Sequence, residues 1–187
     1  WARGAMPRLD EIAARHALTP ERRLLEMRRP LPADTHASVI CRAFVPGQDE
    51  DAWLRVNNRA FAGHPEQSGW DRAALEARFA EPWFDPQGFL LHERDGRLAA
   101  FCWTKRHLER RPPMGEIYVI AVDPDFHGRG LGRELTLAGL DHLAAQGLGI
   151  GMLYVDGGND AAVAMYRRLG FAEARADIAY SGEVVGR

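Results

Sequence analysis

The chain is short of several things, and each shortage narrows what it can do. Only two of its 187 residues are cysteine. Cys41 and Cys102 sit in apolar alternating segments, not in a C-x-x-C pair, so free thiols in a reducing cytoplasm are expected and neither reads as a nucleophile. No unbroken apolar run exceeds that of Ile117 to Val122, far below the roughly 20 residues of a membrane-spanning helix. Neither sign of charge dominates: 24 Lys and Arg against 26 Asp and Glu leave a net charge of −2 and a pI near 6.4. That balance offers no footprint for nucleic acid. No metal-ligand spacing stands out. The chain opens on Trp1 and shows no signal-peptide pattern, so a fragment is expected. Its length allows one well-cored domain with an appendage.

What is present centres on Val122 to Arg133, V-D-P-D-F-H-G-R-G-L-G-R. An apolar strand pattern enters, Pro124 breaks it, Gly128, Gly130 and Gly132 carry the turn, and a helical pattern leaves. Glycines let backbone approach a ligand, and a helix start offers unpaired N–H groups and a positive dipole end. The stretch is an anion site by its local physics. A Walker loop is excluded, because Gly132 is followed by Arg133 and Glu134, not Lys-Ser/Thr. A dinucleotide reading, with Tyr154 to Asp156 as the distant acid, is weaker.

Around this stretch the chain reads as alternating strands and helices. Aligning Trp1 with Tyr154 sets one polar loop, helix and strand over another without a gap. Residues 1–30 then read as the end of a preceding domain of the same kind, or as an ordinary N-terminal helix and strand. Residues 31–36 follow as a linker, and 37–187 as the main domain. Val39, Cys41, Ala43 and Val45 alternate as a strand. Asp49, Glu50 and Asp51 open a helix, and Asp71 caps a second. Asp95-Gly96 between apolar runs is a hairpin turn. Trp103, Lys105 and His107 share one parity. Glu116 begins an apolar strand, where a carboxylate is costly unless paired or working, and is the best general-base candidate; a solvated strand start is its plain alternative. Asn159 reads as a helix cap.

Two segments carry a family resemblance. His127-x-x-Gly130-x-Gly132 after V-x-P resembles the pyrophosphate loop of the GCN5-related N-acetyltransferases, whose first position is usually Gln or Arg. Asn159-x-x-Ala162-x-x-x-Tyr166-x-x-x-Gly170-Phe171 resembles their second signature. The resemblance implies an α/β (α+β) fold, with a central mixed, mostly antiparallel sheet flanked by helices, and acetyl-CoA as cosubstrate. It implies that Ile120, Ala121 and Val122 bond the pantetheine arm and that His127, Gly128, Arg129, Gly130, Leu131, Gly132 and Arg133 cradle the pyrophosphate. Asn159, Asp160, Ala161, Ala162, Val163 and Ala164 complete the CoA contacts. Glu116 would take the ammonium proton and Tyr166 would protonate the leaving thiolate. Glu66, with His64 as its rival, Lys105, Glu116 and Tyr154 would surround the acceptor.

Longer strings, among them W-L-R-V-N-N-R-A-F-A-G-H-P-E-Q and G-E-I-Y-V-I-A-V-D-P, resemble the active second half of the tandem members that acetylate the cysteinyl amine of cysteinyl-glucosaminyl-inositol. On that resemblance the chain is a cytoplasmic monomer joined to an upstream acetyltransferase-like half, with a small-molecule amine as substrate and no nucleic-acid, membrane or metal partner. Its rivals are an enzyme of the same fold acting on another amine or a protein N-terminus, and a non-catalytic acyl-CoA-binding half.

Overall fold

The computed structural model describes residue 4 and residues 7–63 and 67–182. In chain order the helices are α1 (Pro7–Arg15), α2 (Glu50–Ala60), α3 (Arg72–Phe79), α4 (Leu131–Ala145) and α5 (Asp160–Arg168). The strands are β1 (Thr19–Pro30), β2 (Arg42–Ala43), β3 (Phe89–Arg94), β4 (Arg97–His107), β5 (Met114–Val122), β6 (Ile150–Asp156) and β7 (Ala172–Ser181). They fall into two compact units, Pro30–Gly151 on the one hand and Trp1–Arg29 with Met152–Arg187 on the other. No helix of the described residues is long and apolar enough to cross a membrane.

In the unit Pro30–Gly151, β2, β3, β4 and β5 lie side by side, each antiparallel to the next. The β3–β4 hairpin turns on Asp95 and Gly96, with φ of 52° and 74°, the doubly positive geometry whose twist matches a hairpin. Side chains alternate across the sheet. Phe101 and Trp103 meet Trp53 of α2, whereas Cys102 and Thr104 meet Gly139 of α4. The helices therefore cover opposite faces. On the α2 face Phe89 stacks on Trp103 at 4.3 Å between centroids, and Trp53 stands edge-on to Trp103 at 6.0 Å, the offset and edge geometries that aromatic quadrupoles favour.

Lys105 faces Glu116 and Trp103 faces Val119, with a register shift between. The extra residue is Tyr118. A bulge of this kind reverses side-chain parity, so Glu116 and Val119, which a regular strand would send to opposite faces, both look towards the aromatic cluster.

The strand expected over Val39 to Val45 is reduced to Arg42–Ala43. Residues before it are pinned by side chains instead of a ladder. The Ala37 N–H donates to Asp141 at 3.0 Å, the Ser38 N–H to Glu134 at 2.7 Å, and His92 Nδ1–H to the Ile40 carbonyl at 2.9 Å. Ile40, 89% exposed, finds no core to join.

In the other unit β1 lies between β6 and β7 and pairs antiparallel with β7. The alignment of Trp1 with Tyr154 carries Pro7 onto Asp160, Arg15 onto Arg168 and Thr19 onto Ala172, the matching ends of α1 and α5 and of β1 and β7. The ladder itself obeys that offset: Thr19 pairs with Ser181 and Arg28 with Ala172, and the residues skipped by its register shifts, Glu21 and Ala174, correspond. The helix–strand unit thus recurs in structure, with a local two-fold relation between β1 and β7.

Candidate functional site

The glycine stretch is anchored before it opens. Asp123, buried, accepts from the Asp125 N–H at 3.0 Å and from Arg59 at 3.0 Å. Asp125 bridges Arg59 and Arg97, each at 3.0 Å, and these guanidinium groups hold its carboxyl below the usual range. The rings of the loop are used as well, since Arg97 and Arg129 lie 4.7 and 5.3 Å from the centroid of Phe126, within reach of its negative π face.

Beyond Phe126, Gly128 and Gly130 take left-handed φ of 74° and 77°, and Gly130 is the N-cap of α4. Gly132 is already helical, where a missing Cβ bares the first-turn N–H groups of Leu131, Gly132 and Arg133. Gly130, Leu131 and Arg133 of this turn border an open cleft of about 470 Å3 whose lining also includes Arg94 and Arg129. Glu134 borders it too, but its carboxylate is held by the Ser38 N–H and hydroxyl, each at 2.7 Å, and by Arg133 at 2.7 Å. The Ser38 N–H, first among these, keeps it below the usual carboxylate range. Three guanidinium groups and a helix start suit a phosphate group.

Gly130→Ala tests this conformation. A Cβ there would meet nothing within 4 Å, so the loss is backbone strain alone. We expect about 1–2 kcal/mol of destabilisation in urea unfolding; no change would mean that the loop does not hold the left-handed form.

His127 behaves differently from a phosphate donor. Its Nε2–H donates to the Val122 carbonyl at 2.9 Å, which leaves Nδ1 of a neutral ring with a lone pair. Only the imidazolium could offer a proton to phosphate from that nitrogen. Val122 is correspondingly engaged at its carbonyl.

On the sheet face under α2 a second constellation forms. Glu116 is 6% exposed. Its Oε2 lies 2.6 Å from Nε2 of His107, whose Nδ1 is 3.1 Å from Oε1 of Glu109. Lys105, opposite Glu116 in the ladder, places Nζ 4.4 Å from the Trp83 ring and 5.5 Å from that of Tyr118. Burial pushes the Tyr118 hydroxyl up. Apolar walls, one carboxylate, one ammonium and one imidazole converge here, a composition that suits a polar acceptor amine.

The other unit holds Tyr154, Tyr166 and the Asn159 to Ala164 stretch. Asn159 caps α5, accepting from the Ala162 N–H at 3.1 Å. The helix ends in a Schellman motif: Phe171 N–H bonds the Tyr166 carbonyl and Gly170 N–H that of Arg167, each at 3.0 Å, with Gly170 at φ 82°. Its accompanying apolar contact is Tyr166 against Phe171, 5.7 Å apart and edge-on, so the tyrosine ring is set by the helix stop itself. The Tyr154 hydroxyl donates at 3.1 Å to Glu26, a buried carboxylate also bound by Arg28 and Arg175.

Within Pro30–Gly151 the structure therefore brings Lys105 and Glu116 together and sets His127 to Arg133 around the α4 start. Glu66 and its rival His64 lie outside the described residues. Sequence reading missed Arg94 and Ser38 at the cleft, Trp83 over Lys105, and Glu26 beneath Tyr154, all separated in sequence from the motifs. His107 was signalled by its parity with Lys105, but its bond to Glu116 was not.

Residues 51–171 match the acetyltransferase (GNAT) family. The chain belongs to the GCN5-related N-acetyltransferases. It is 50% identical over 96% of its length to the mycothiol acetyltransferase of Thermobispora bispora and 51% identical over 96% to that of Mycobacteroides abscessus. It spans 64% and 62% of those two proteins. The crystal structure of a GCN5-related N-acetyltransferase from Sphaerobacter thermophilus shares the fold, with a TM-score of 0.77 at 24% identity, covering 96% of this chain and 57% of that one.

Proposed function

We propose that the chain is the part of an acetyl-CoA-dependent N-acetyltransferase that acetylates the cysteinyl amine of cysteinyl-glucosaminyl-inositol, the closing step of mycothiol formation. The observation that carries this reading is Lys105 of β4 set opposite Glu116 of β5 beside the Trp83 and Tyr118 rings, with β5 delivering the chain to a phosphate-type cleft. The half-identity to mycothiol acetyltransferases supports the acceptor, and the upstream repeat suggested by α1 and β1 supports an additional, preceding half.

In this reading acetyl-CoA supplies the acetyl group as a thioester, and Ile120 to Val122, Gly128 to Arg133 and Asn159 to Ala164 hold its arm and phosphates, with His127 bracing the loop through the Val122 carbonyl. Arg94 and Arg129 add charge at the cleft. Glu116 accepts the proton of the ammonium so that the amine can attack. Lys105, fixed over Trp83 and Tyr118, holds a polar group of the acceptor, with Glu66 and Tyr154 as further contacts. Tyr166 donates a proton to the thiolate. An amine with pKa of about 8 needs only a mild base, so positioning supplies much of the acceleration.

The test is product formation from acetyl-CoA and cysteinyl-glucosaminyl-inositol, followed by mass spectrometry and set against an N-terminal peptide and simple amines. Acetylation of the cysteinyl sugar above all others is expected. Tyr166→Phe should lower kcat about a hundredfold, the low end for acid catalysis, with acetyl-CoA affinity retained. Preferential acetylation of the peptide would replace this substrate assignment, and binding of acetyl-CoA with no turnover of any amine would remove the enzymatic reading.

A further inference from the structure

A buried base must lose the proton it gains before the next turnover. Glu116 sits at the inner end of a line of three groups: its Oε2 is 2.6 Å from His107 Nε2, and His107 Nδ1 is 3.1 Å from Glu109 Oε1. Side-chain exposure climbs along that line from 8% through 13% to 72%. Both nitrogens of one imidazole are thus used, one facing the buried carboxylate and the other a solvated one. Nothing in the reaction as derived above uses His107 or Glu109.

We propose that His107 relays the acceptor amine's proton from Glu116 to Glu109 and solvent. This rests on Glu116 being the base. The step balances as follows. The ammonium N–H bond breaks and an O–H bond forms on Glu116; the Oε2 proton passes to Nε2 of a neutral His107; the Nδ1 proton passes to Glu109 or to water beyond it. A tautomer shift restores the ring, and the net change is one proton moved from the ammonium to solvent. Imidazole suits the task because it accepts at one nitrogen while releasing at the other.

The relay needs a lone pair on Nε2, so it runs in the neutral ring and is blocked in the imidazolium. His107 is faced by Glu116 from β5 and by Glu109 and Arg110 from the segment after β4. The hydrogen bond with Glu116 is the largest influence and raises its pKa; burial and Arg110 act in the opposite direction. Activity should therefore rise with pH through a titration above that of an ordinary imidazole.

His107→Gln keeps an N–H to hold Glu116 but cannot exchange protons. Its kcat should fall about a hundredfold at neutral pH, with the KM for acetyl-CoA unchanged, the rising acid limb lost, and partial recovery on adding free imidazole. Glu109→Gln should cost far less, since water can replace an exposed terminus. Wild-type kcat and pH profile in His107→Gln beside an inactive Glu116→Gln would overturn the relay and leave the base standing. A loss in His107→Gln that imidazole does not repair, with the acid limb in place, would also overturn it, in favour of a structural role. Full activity in Glu116→Gln would remove base and relay together. Independently of turnover, the His107 ring signal in NMR should titrate at lower pH in Glu116→Gln than in wild type, and an unchanged titration would refute the coupling.

Discussion

Glu116→Gln is expected to lower kcat about a thousandfold at neutral pH, within the range general bases contribute, while acetyl-CoA binding is retained. The amide matches the carboxylate in shape and can still bond His107, so packing survives and only the proton acceptor is lost. The defect has a direction in pH. Below the amine's pKa of about 8 the acceptor arrives as ammonium and depends on the base; above it the amine arrives free. The gap between wild type and Glu116→Gln should therefore narrow as pH rises. Steady-state kinetics across that range provide the check, and a variant with undiminished kcat on the acid side would end the assignment of Glu116.

Trp103→Ala should cost about 3–5 kcal/mol, the usual loss for a large aromatic removed from a close-packed core. Trp103 is fully buried. It stacks on Phe89 and meets Trp53, Trp83, Phe84 and Tyr118 with centroids 4.3 to 6.0 Å away. No neighbour can collapse into the space of an indole without moving the others. Against a total stability of about 5–15 kcal/mol this is a large share. The change is read as a lower urea midpoint at unchanged slope. Because Trp83 and Tyr118, which hold Lys105, both rest on Trp103, the variant should also lose affinity for the acceptor before it loses affinity for acetyl-CoA. Trp103→Phe, keeping a ring on Phe89, should lose much less; equal losses would mean that the stack is not what stabilises this face.

Much of the frame was legible because its signals are local. Asp71 accepts from the Ala74 N–H at 2.7 Å and Asn159 from that of Ala162, as short polar residues before a helix do. Asp95-Gly96 turns the hairpin, and Tyr166-x-x-x-Gly170-Phe171 closes α5, because left-handed backbone at a defined offset leaves few residue choices. Where a segment's partners are distant, the reading faltered. Val39 to Val45 alternates like a strand, yet Ser38 and Ala37 are claimed by Glu134 and Asp141 of α4, and only Arg42–Ala43 reaches the sheet. Membership of the acetyltransferase family was carried by the two motifs and is shown by the family match.

The sequence by itself determined the glycine turn, the caps and the apolar strand leading to them, since each depends on contacts within a few residues. Only the tertiary structure decided where the carboxylate points. A one-residue bulge at Tyr118, set by the pairing of β5 with β4, turns Glu116 to the face that carries Lys105 and His107. Simple alternation along the strand would have placed it on the face opposite Val119. Register is a property of two strands and of the core they share, and no spacing within one of them records it.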